Sequence, residues 1–367
     1  MMHRQQHSEL RIGLIGARAG ALAAAVNTLP GARVFAVCDV NDLVLHSLGE
    51  QYGVRHRCRD VAELVALDLD AVIVATPMHL HVAHSVLALQ AGKAVLCEVT
   101  AAVSIEECRQ LLATVHETHG LYMLSENYCY RRDCVLLRVL AREGFFGDLY
   151  YAEGGYIHDC RHLHYHQDGT STWRAAWQVG RRAATYTTHS LGPVLHWLDD
   201  RVATVNCLGS GVHAHPEMVM DDTVTMLCTT RSGALIDIRC DMQSHRPHQM
   251  THYALQGTHG AYVSGRHEGE PALVWFEGRS GKREQWQSLS EYDAYLPEAW
   301  RRVPKAGTGH GGSDYHVVAD FIEHVRTGTQ PEIDVYRALD FTLPGLVSEQ
   351  SLAAGGTPVL VPDPRLW

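Results

Sequence analysis

Tyr186 and His189 stand three residues apart in the run Tyr186-Thr187-Thr188-His189-Ser190-Leu191-Gly192-Pro193, where a polar stretch passes into an apolar helical one. This spacing predicts that His189 lies at the start of a helix, with Thr188 as its cap. A helix N-terminus disfavours a positive charge, so a neutral imidazole is available there as a base near pH 7. Tyr186 is placed to relay or donate a proton. A second run with chemical potential, Gly13-Leu14-Ile15-Gly16-Ala17-Arg18-Ala19-Gly20-Ala21, follows an apolar strand and opens a helix. In that context a glycine turn lets a pyrophosphate approach a helix N-terminus. Arg18 stands where the second glycine of such a fingerprint would be, so the motif needs support from its surroundings.

That support comes from Asp39, which closes the next strand about 20 residues on, where a carboxylate hydrogen-bonds the ribose hydroxyls of a dinucleotide. A carboxylate there repels a 2′-phosphate, so NAD is expected over NADP. Thr76-Pro77-Met78-His79-Leu80-His81 ends a further strand and aims side chains at the same crevice. Lys93-Ala94-Val95-Leu96-Cys97 delivers Glu98-Val99-Thr100 to its edge. For His79 alone, a surface position competes with ligand contact. The expected cofactor site is thus Gly16, Ala17, Arg18, Ala19, Gly20, Asp39, Thr76, Pro77, Met78, His79, His81, Glu98 and Val99.

The elements that must position these residues follow from hydrophobic periodicity. Short apolar strands at 11–16, 33–39, 71–76, 94–98 and 121–126 alternate with helical segments, which predicts an α/β, doubly wound Rossmann domain. After Gly147 the pattern changes to longer strands with hairpin punctuation: 223–230 with 234–242 around Ser232-Gly233, and 253–257 with 261–264 around His259-Gly260. This predicts an α+β domain with an open, mainly antiparallel sheet and a helix near 190–198 on one face. Helices at 313–326 and 334–353, the second capped by Asp334, close the chain. The domain division expected is an NAD-binding domain at 1–127 and a substrate-binding domain at 128–367, with the C-terminal helices packing back toward the first.

A chain of 367 residues, 46% apolar and 20% charged, has the composition of a folded globular protein with room for two cores. Its net charge of -10 argues against a nucleic-acid partner, which would need a basic face. The polar stretch Met1–Leu10 and the short apolar run after it hold neither a signal-peptide core nor a membrane span, so a cytoplasmic location is expected. Ten cysteines without a Cys-x-x-Cys pair read as buried reduced thiols. The segment His158-Asp159-Cys160-Arg161-His162-Leu163-His164-Tyr165-His166 invites a metal reading, since alternate imidazoles could share one face of a strand. A histidine-rich loop over the active site is the preferred account, and no metal is expected. Gly309-His310-Gly311-Gly312 could bind phosphate through backbone amides but reads better as a close-packed turn before a helix.

Four motifs in order make a pattern: Glu126-Asn127-Tyr128-Cys129-Tyr130-Arg131-Arg132-Asp133, Gly154-Gly155-Tyr156-Ile157-His158-Asp159, the Tyr186–Pro193 run, and Gly309-His310-Gly311-Gly312-Ser313-Asp314-Tyr315. The chain resembles the Gfo/Idh/MocA oxidoreductase superfamily and, within it, glycoside hydrolase family 109, the NAD-dependent α-N-acetylgalactosaminidases. The likeness runs from about residue 11 to the C-terminus. Most of the superfamily carries Glu-Lys-Pro where this chain has Glu98-Val99-Thr100, and Val99 has no proton to give; that departure is itself similar to family 109. The resemblance implies a redox-neutral cycle. Hydride leaves carbon 3 of the sugar, the ketone acidifies the proton on carbon 2, a base removes it, the anomeric substituent is eliminated, water adds and the hydride returns. It also implies that Tyr156, Tyr186 and His189 act at the reacting sugar, that Arg174, Tyr292 and His158 contact substrate, and that Asn127 lies beside the nicotinamide.

The partner implied is a small-molecule glycoside or sugar, with a homodimer or homotetramer as the expected assembly. The chain is shorter than the type members and lacks the insertions that would shape an N-acetyl pocket, so glycosidase chemistry is better supported than any named sugar. A plain sugar or cyclitol dehydrogenase and a non-catalytic NAD/sugar sensor are the competing readings. Val99 argues against the first, and retention of Tyr186 and His189 against the second.

Overall fold

The computed structural model describes residues 9–16, 18–267, 269–279, 285–301 and 309–367. The chain divides into two compact units. The first runs to Tyr130 and includes the segment that ends at Leu339, together with Trp367; the second starts at Arg131 and includes Asp340–Leu366.

In the first unit, short runs, mostly apolar, form β1 (Leu10–Ile15), β2 (Ala32–Cys38), β3 (His56–Cys58), β4 (Ala71–Val74), β5 (Ala94–Cys97) and β6 (Tyr122–Leu124). All pair in parallel, in the order β3-β2-β1-β4-β5-β6. Every residue of β4 and β5 is buried, as a sheet covered by helices on both faces requires. The strand order reverses between β1 and β4, and a crevice for a ligand opens at such a point beyond the carboxyl ends of the strands. Helix Ser313–Thr327 belongs to this unit and packs on helix Ala19–Thr28.

The second unit is built on β7 (Leu149–Ile157), β8 (Val202–Gly209), β9 (Val224–Thr230), β10 (Leu235–Asp241), β11 (Gln249–Gly257), β12 (Gly260–Val263), β13 (Leu273–Phe276), β14 (Gln287–Ser288) and β15 (Val359–Leu360). Their order is β14-β13-β12-β11-β7-β10-β9-β8-β15. β7 and β10 pair in parallel, and the other neighbours are antiparallel. Alternation decides which face is covered: Met226 and Cys228 on β9 and Ile236, Ile238 and Cys240 on β10 are wholly buried, while Leu227 between the first two and Leu235 just before Ile236 are exposed. Helix Thr188–Leu198 lies against β7 on the covered face. All ten cysteines are free and buried. Among the described residues no helix is long and apolar enough to cross a membrane.

The doubly wound sheet and the mainly antiparallel sheet are as the periodicity predicts. The helix expected near 190–198 starts earlier, at Thr188, so Thr188 is its first residue and not its cap. Thr187 precedes it with φ -114 and ψ 2, outside the extended region a capping residue adopts, and no side chain caps this end. Asp334 does cap its helix, its Oδ1 accepting from the Arg337 amide at 3.0 Å.

The approach of helix Thr188–Leu198 to β7 depends on Gly154, where a Cβ would lie 2.6 Å from the Ser190 carbonyl oxygen. Gly154→Ala is therefore expected to destabilise the protein by about 1–3 kcal/mol, the cost of overpacking a fitted interface. Urea unfolding measures this, and wild-type stability in the variant would show that the contact is not tight.

Candidate active site

The first unit places the expected cofactor residues at the carboxyl ends of its strands. Gly16 follows β1 with φ +94, and a Cβ there would lie 2.6 Å from the Ala75 carbonyl oxygen. Only glycine fits both the left-handed conformation and this contact. Ala17 lies outside the described residues. Arg18 precedes helix Ala19–Thr28, and its Nε lies 3.4 Å from Glu98 Oε2, so the loops after β1 and β5 are joined where a second glycine would have left the backbone bare. Ala19 is buried, and the Gly20 carbonyl accepts from the Tyr52 hydroxyl at 2.7 Å. Asp39 is half-buried, and one of its oxygens accepts from the Asn41 amide at 2.8 Å, closing the turn before helix Asp42–Gln51.

Thr76, Pro77, His79, Glu98 and Val99 are partly exposed along the loops after β4 and β5. Burial, and then His81, push the His79 ring toward its neutral form. Met78 and His81 are each 1% exposed. The His81 ring meets the Thr100 carbonyl at 2.7 Å through Nδ1 and the Thr76 carbonyl at 2.8 Å through Nε2. This corrects its expected role: with both nitrogens committed to backbone, His81 braces the crevice loops and does not offer its ring to a ligand.

Asn127 follows β6 in a 3-10 turn and is 8% exposed. Its Nδ2 donates to Asp314 Oδ1 at 2.8 Å, while its Oδ1 is buried with no partner among the described residues. The glycine turn before helix Ser313–Thr327 makes room for that same carboxylate, since a Cβ on Gly309 would lie 2.3 Å from Asp314 Oδ2. His310, at φ +51, places Nδ1 3.0 Å from the same oxygen. Asp314 holds the His310 pKa above its ordinary value, and His310 and Asn127 together outweigh burial to keep the Asp314 carboxyl below its own. A Cβ-free turn, a cationic Arg18 and an amide oxygen awaiting a donor fit a dinucleotide: Gly16 and Arg18 suit its pyrophosphate and Asn127 the carboxamide of its nicotinamide.

In the second unit the structure brings together three rings whose positions in sequence span 34 residues. The Tyr156 and His189 rings are 5.4 Å apart, Tyr186 and His189 5.6 Å, and Tyr156 and Tyr186 5.9 Å. Tyr156 projects from β7, Tyr186 from the loop before helix Thr188–Leu198, and His189 from its first turn. The His189 carbonyl accepts from the Tyr253 hydroxyl of β11, which ties that turn to the sheet. His158, two residues beyond Tyr156, is held neutral: burial, then His248 and His162, push its pKa down to about 4. Its Nδ1 lies 2.9 Å from the Tyr156 hydroxyl. A neutral imidazole accepting there receives the phenolic hydrogen bond and leaves the oxygen lone pairs of Tyr156 directed away from it.

Arg174 stands on the short helix Trp173–Trp177 with its guanidinium 4.4 Å from the Trp173 ring centre. Tyr292 packs edge-on to Phe276 and Phe145, and its hydroxyl donates to Gln287 Oε1 at 2.9 Å. This hydroxyl is committed within an aromatic cluster, unlike the substrate contact the resemblance implies. Within the histidine-rich run, His164 is a ring that sequence reasoning did not single out. It is wholly buried with both ring nitrogens lacking partners among the described residues, and burial and Arg174 push its pKa down to about 4. No sequence signal separates it from its neighbours in the histidine-rich run.

Among the described residues no three His, Cys, Asp or Glu side chains converge as metal ligands. Two imidazoles from outside that run meet its arginine: Arg161 Nη1 lies 2.9 Å from His215 Nε2 and 3.3 Å from His245 Nε2, and those two rings stack at 5.3 Å. The bond from Arg161 holds the Asp159 carboxyl far below the usual carboxylate range.

Two outcomes follow from these settings. Gly16→Ala should weaken NAD binding by at least ~10-fold, because the left-handed backbone costs a Cβ about 1–2 kcal/mol before the clash with Ala75 is counted; calorimetry decides it. His158 and His164 bind fewer protons folded than unfolded between pH 6.5 and about 4, so stability is complete above pH 6.5 and lost as pH falls through that window. Urea midpoints across this range should decline, and His158→Asn should flatten part of the decline.

Residues 10–126 match the oxidoreductase family with an NAD-binding Rossmann fold, and residues 130–215 and 210–365 match the C-terminal domain of glycosyl hydrolase 109. A glycosyl hydrolase family 109 protein of Solibacter usitatus is 29% identical over 394 residues, spanning 96% of this chain and 88% of its own. Another, from Saccharopolyspora erythraea, is 27% identical, spanning 98% and 84%. In fold, the chain is similar to an oxidoreductase domain protein from Kribbella flavida, with TM-score 0.83 and 20% identity over 97% of this chain and 100% of that one. It is also similar to levoglucosan dehydrogenase in complex with NADH and levoglucosan, with TM-score 0.81 and 21% identity over 96% and 100%. Because both halves find their counterparts in order along nearly the whole length, the chain belongs to glycosyl hydrolase family 109, with an NAD-binding Rossmann unit of the Gfo/Idh/MocA type at its N-terminal end.

Proposed function

We propose that the protein is an NAD-dependent glycoside hydrolase that turns over without net oxidation. The observation that carries this reading is the packing of Tyr156, Tyr186 and His189 within 6 Å of one another, in a chain whose residue 99 is valine. A dehydrogenase of this superfamily relies on one ammonium group for one proton. Elimination and hydration need protons moved at more than one atom, and the ring cluster supplies more than one group.

NAD, held by Gly16, Arg18 and Asn127, would supply a reversible acceptor for the hydride of carbon 3. Tyr186 handles the proton of the carbon 3 hydroxyl, the task Val99 cannot perform. His189 removes the proton from carbon 2 once the adjacent ketone has acidified it, and the bond from carbon 1 to the departing oxygen then breaks. Tyr156 assists the same removal, its own proton turned toward neutral His158. Water then adds its hydroxyl to carbon 1 and yields its proton to the departed oxygen, and the proton held on His189 returns to carbon 2. Arg174 contributes a fixed cation for substrate hydroxyls, and Asp39 discriminates against a 2′-phosphate on the cofactor.

Incubating the purified protein with aryl glycosides in deuterium oxide, without added cofactor, should give both cleavage and deuterium at carbon 2. His189→Ala should lower both by ~100- to 10,000-fold, the scale of a positioned base, while NAD stays bound. Val99→Lys should not raise cleavage, since the proton it could offer is already handled. If the wild-type protein neither cleaves nor exchanges but reduces NAD with a free sugar, it is a dehydrogenase and this reading fails.

A further inference from the structure

We propose that His81 is doubly protonated in the folded protein, and that this buried imidazolium is a positioning residue of the NAD site, holding the loops after β4 and β5 by their carbonyl groups. Its two contacts demand that protonation state. The Thr100 oxygen at 2.7 Å from Nδ1 and the Thr76 oxygen at 2.8 Å from Nε2 are both carbonyls, which only accept. A neutral ring carries one N–H, so its second nitrogen would set a lone pair against a carbonyl lone pair at hydrogen-bond distance.

The surroundings accommodate the charge. Burial and the helix start, with His81 as first residue of helix His81–Gln90, both oppose it. Cys97 of β5 and the two carbonyls favour it and outweigh burial, raising the pKa to about 9. His79 in the preceding turn and His84 on the same helix also face it, with Glu107 and Asp60 beyond them; burial first and His81 second push both rings toward neutrality, so positive charge does not accumulate.

The consequence is a loop held from both sides. Thr76 has its carbonyl on His81 and its hydroxyl 3.1 Å from His84 Nδ1. Thr100, whose hydroxyl donates to the Ala102 carbonyl at 2.9 Å, directly follows Glu98 and Val99, and Glu98 in turn meets Arg18. One ring thus sets the spacing of Thr76, Glu98 and Arg18 around the dinucleotide. A raised histidine pKa stabilises the fold fully below pH 6.5 and ceases to do so as pH rises through about 9.

The test is nitrogen-15 NMR of the wild-type protein with NAD bound, paired with calorimetry of NAD binding against pH. Both His81 ring nitrogens should carry protons at pH 7, with the signals absent in His81→Gln. Wild-type affinity should be flat from pH 7 to 8 and fall ~10-fold by pH 10, the scale of a lost charge-assisted hydrogen bond. His81→Gln should be weaker by ~10-fold at pH 7 and lack the further loss, whereas His84→Gln should keep it. A single protonated nitrogen at pH 7 overturns the proposal, as does a His81→Gln protein that binds and responds to pH like wild type. If that variant does not fold, the wild-type spectrum alone decides. None of these readouts depends on glycoside cleavage, so the fate of the hydrolase reading is separate.

Discussion

The close contact between helix Thr188–Leu198 and β7 is the constraint on which the second unit depends. Gly154 has no Cβ, the Ser190 carbonyl fills that space, and the helix start is held against the sheet. Because side chains alternate along a strand, Tyr156 projects from the same face two residues later. His189 is the neighbour of Ser190 in the helix. The Tyr156–His189 pair is therefore a by-product of one missing methyl group, reinforced by the Tyr253 hydroxyl on the His189 carbonyl. Moving the helix outward would separate the rings without altering any of them.

Histidine charge is sorted by the company each ring keeps. His158 and His164 are buried among other imidazoles and Arg174, and both are driven neutral. His81, also buried, meets two carbonyls and Cys97 and is driven the other way. His310 is raised by its bond to Asp314. Desolvation opposes charge in every case, so its sign cannot distinguish these rings; the partners do. Beside the dinucleotide loops the partners also decide: His81 and His310 are raised by the groups they meet, whereas burial and the neighbouring His81 lower His79 and His84.

Departures from expectation share a cause. Thr188 reads as a cap because threonine before an apolar helical run usually is one, yet the backbone at Thr187 already bends into the helix without side-chain help. His81 lies in a segment aimed at the crevice, but the turn Met78–Leu80 rotates its ring inward beneath the loop. Tyr292 carries the right residue type in a matching segment, yet Phe145, Phe276 and Gln287 claim its ring and hydroxyl. In each, local pattern identifies a plausible group and packing reassigns it.

What the chain's letters determined alone was the scaffold: short apolar runs between helical stretches dictate the parallel sheet, and hairpin glycines followed by alternating residues dictate the antiparallel one. Gly16 with Asp39 marks the nucleotide end, and Tyr156, Tyr186 and His189 are identifiable by type and motif. Those features are local, carried by neighbouring residues and by backbone preferences that act over a few positions. Tertiary structure alone decided the parallel pairing of β7 with β10, the short strands β3, β14 and β15, the orphaned oxygen of Asn127 and the protonation of His81. Each of these depends on groups distant in sequence: β10 lies about eighty residues beyond β7, Asp314 meets Asn127 across 187, and Thr100 reaches His81 across 19. Proton position is the extreme case, because a side chain's charge is set by which acceptors surround it, and that arrangement exists only once the chain has folded.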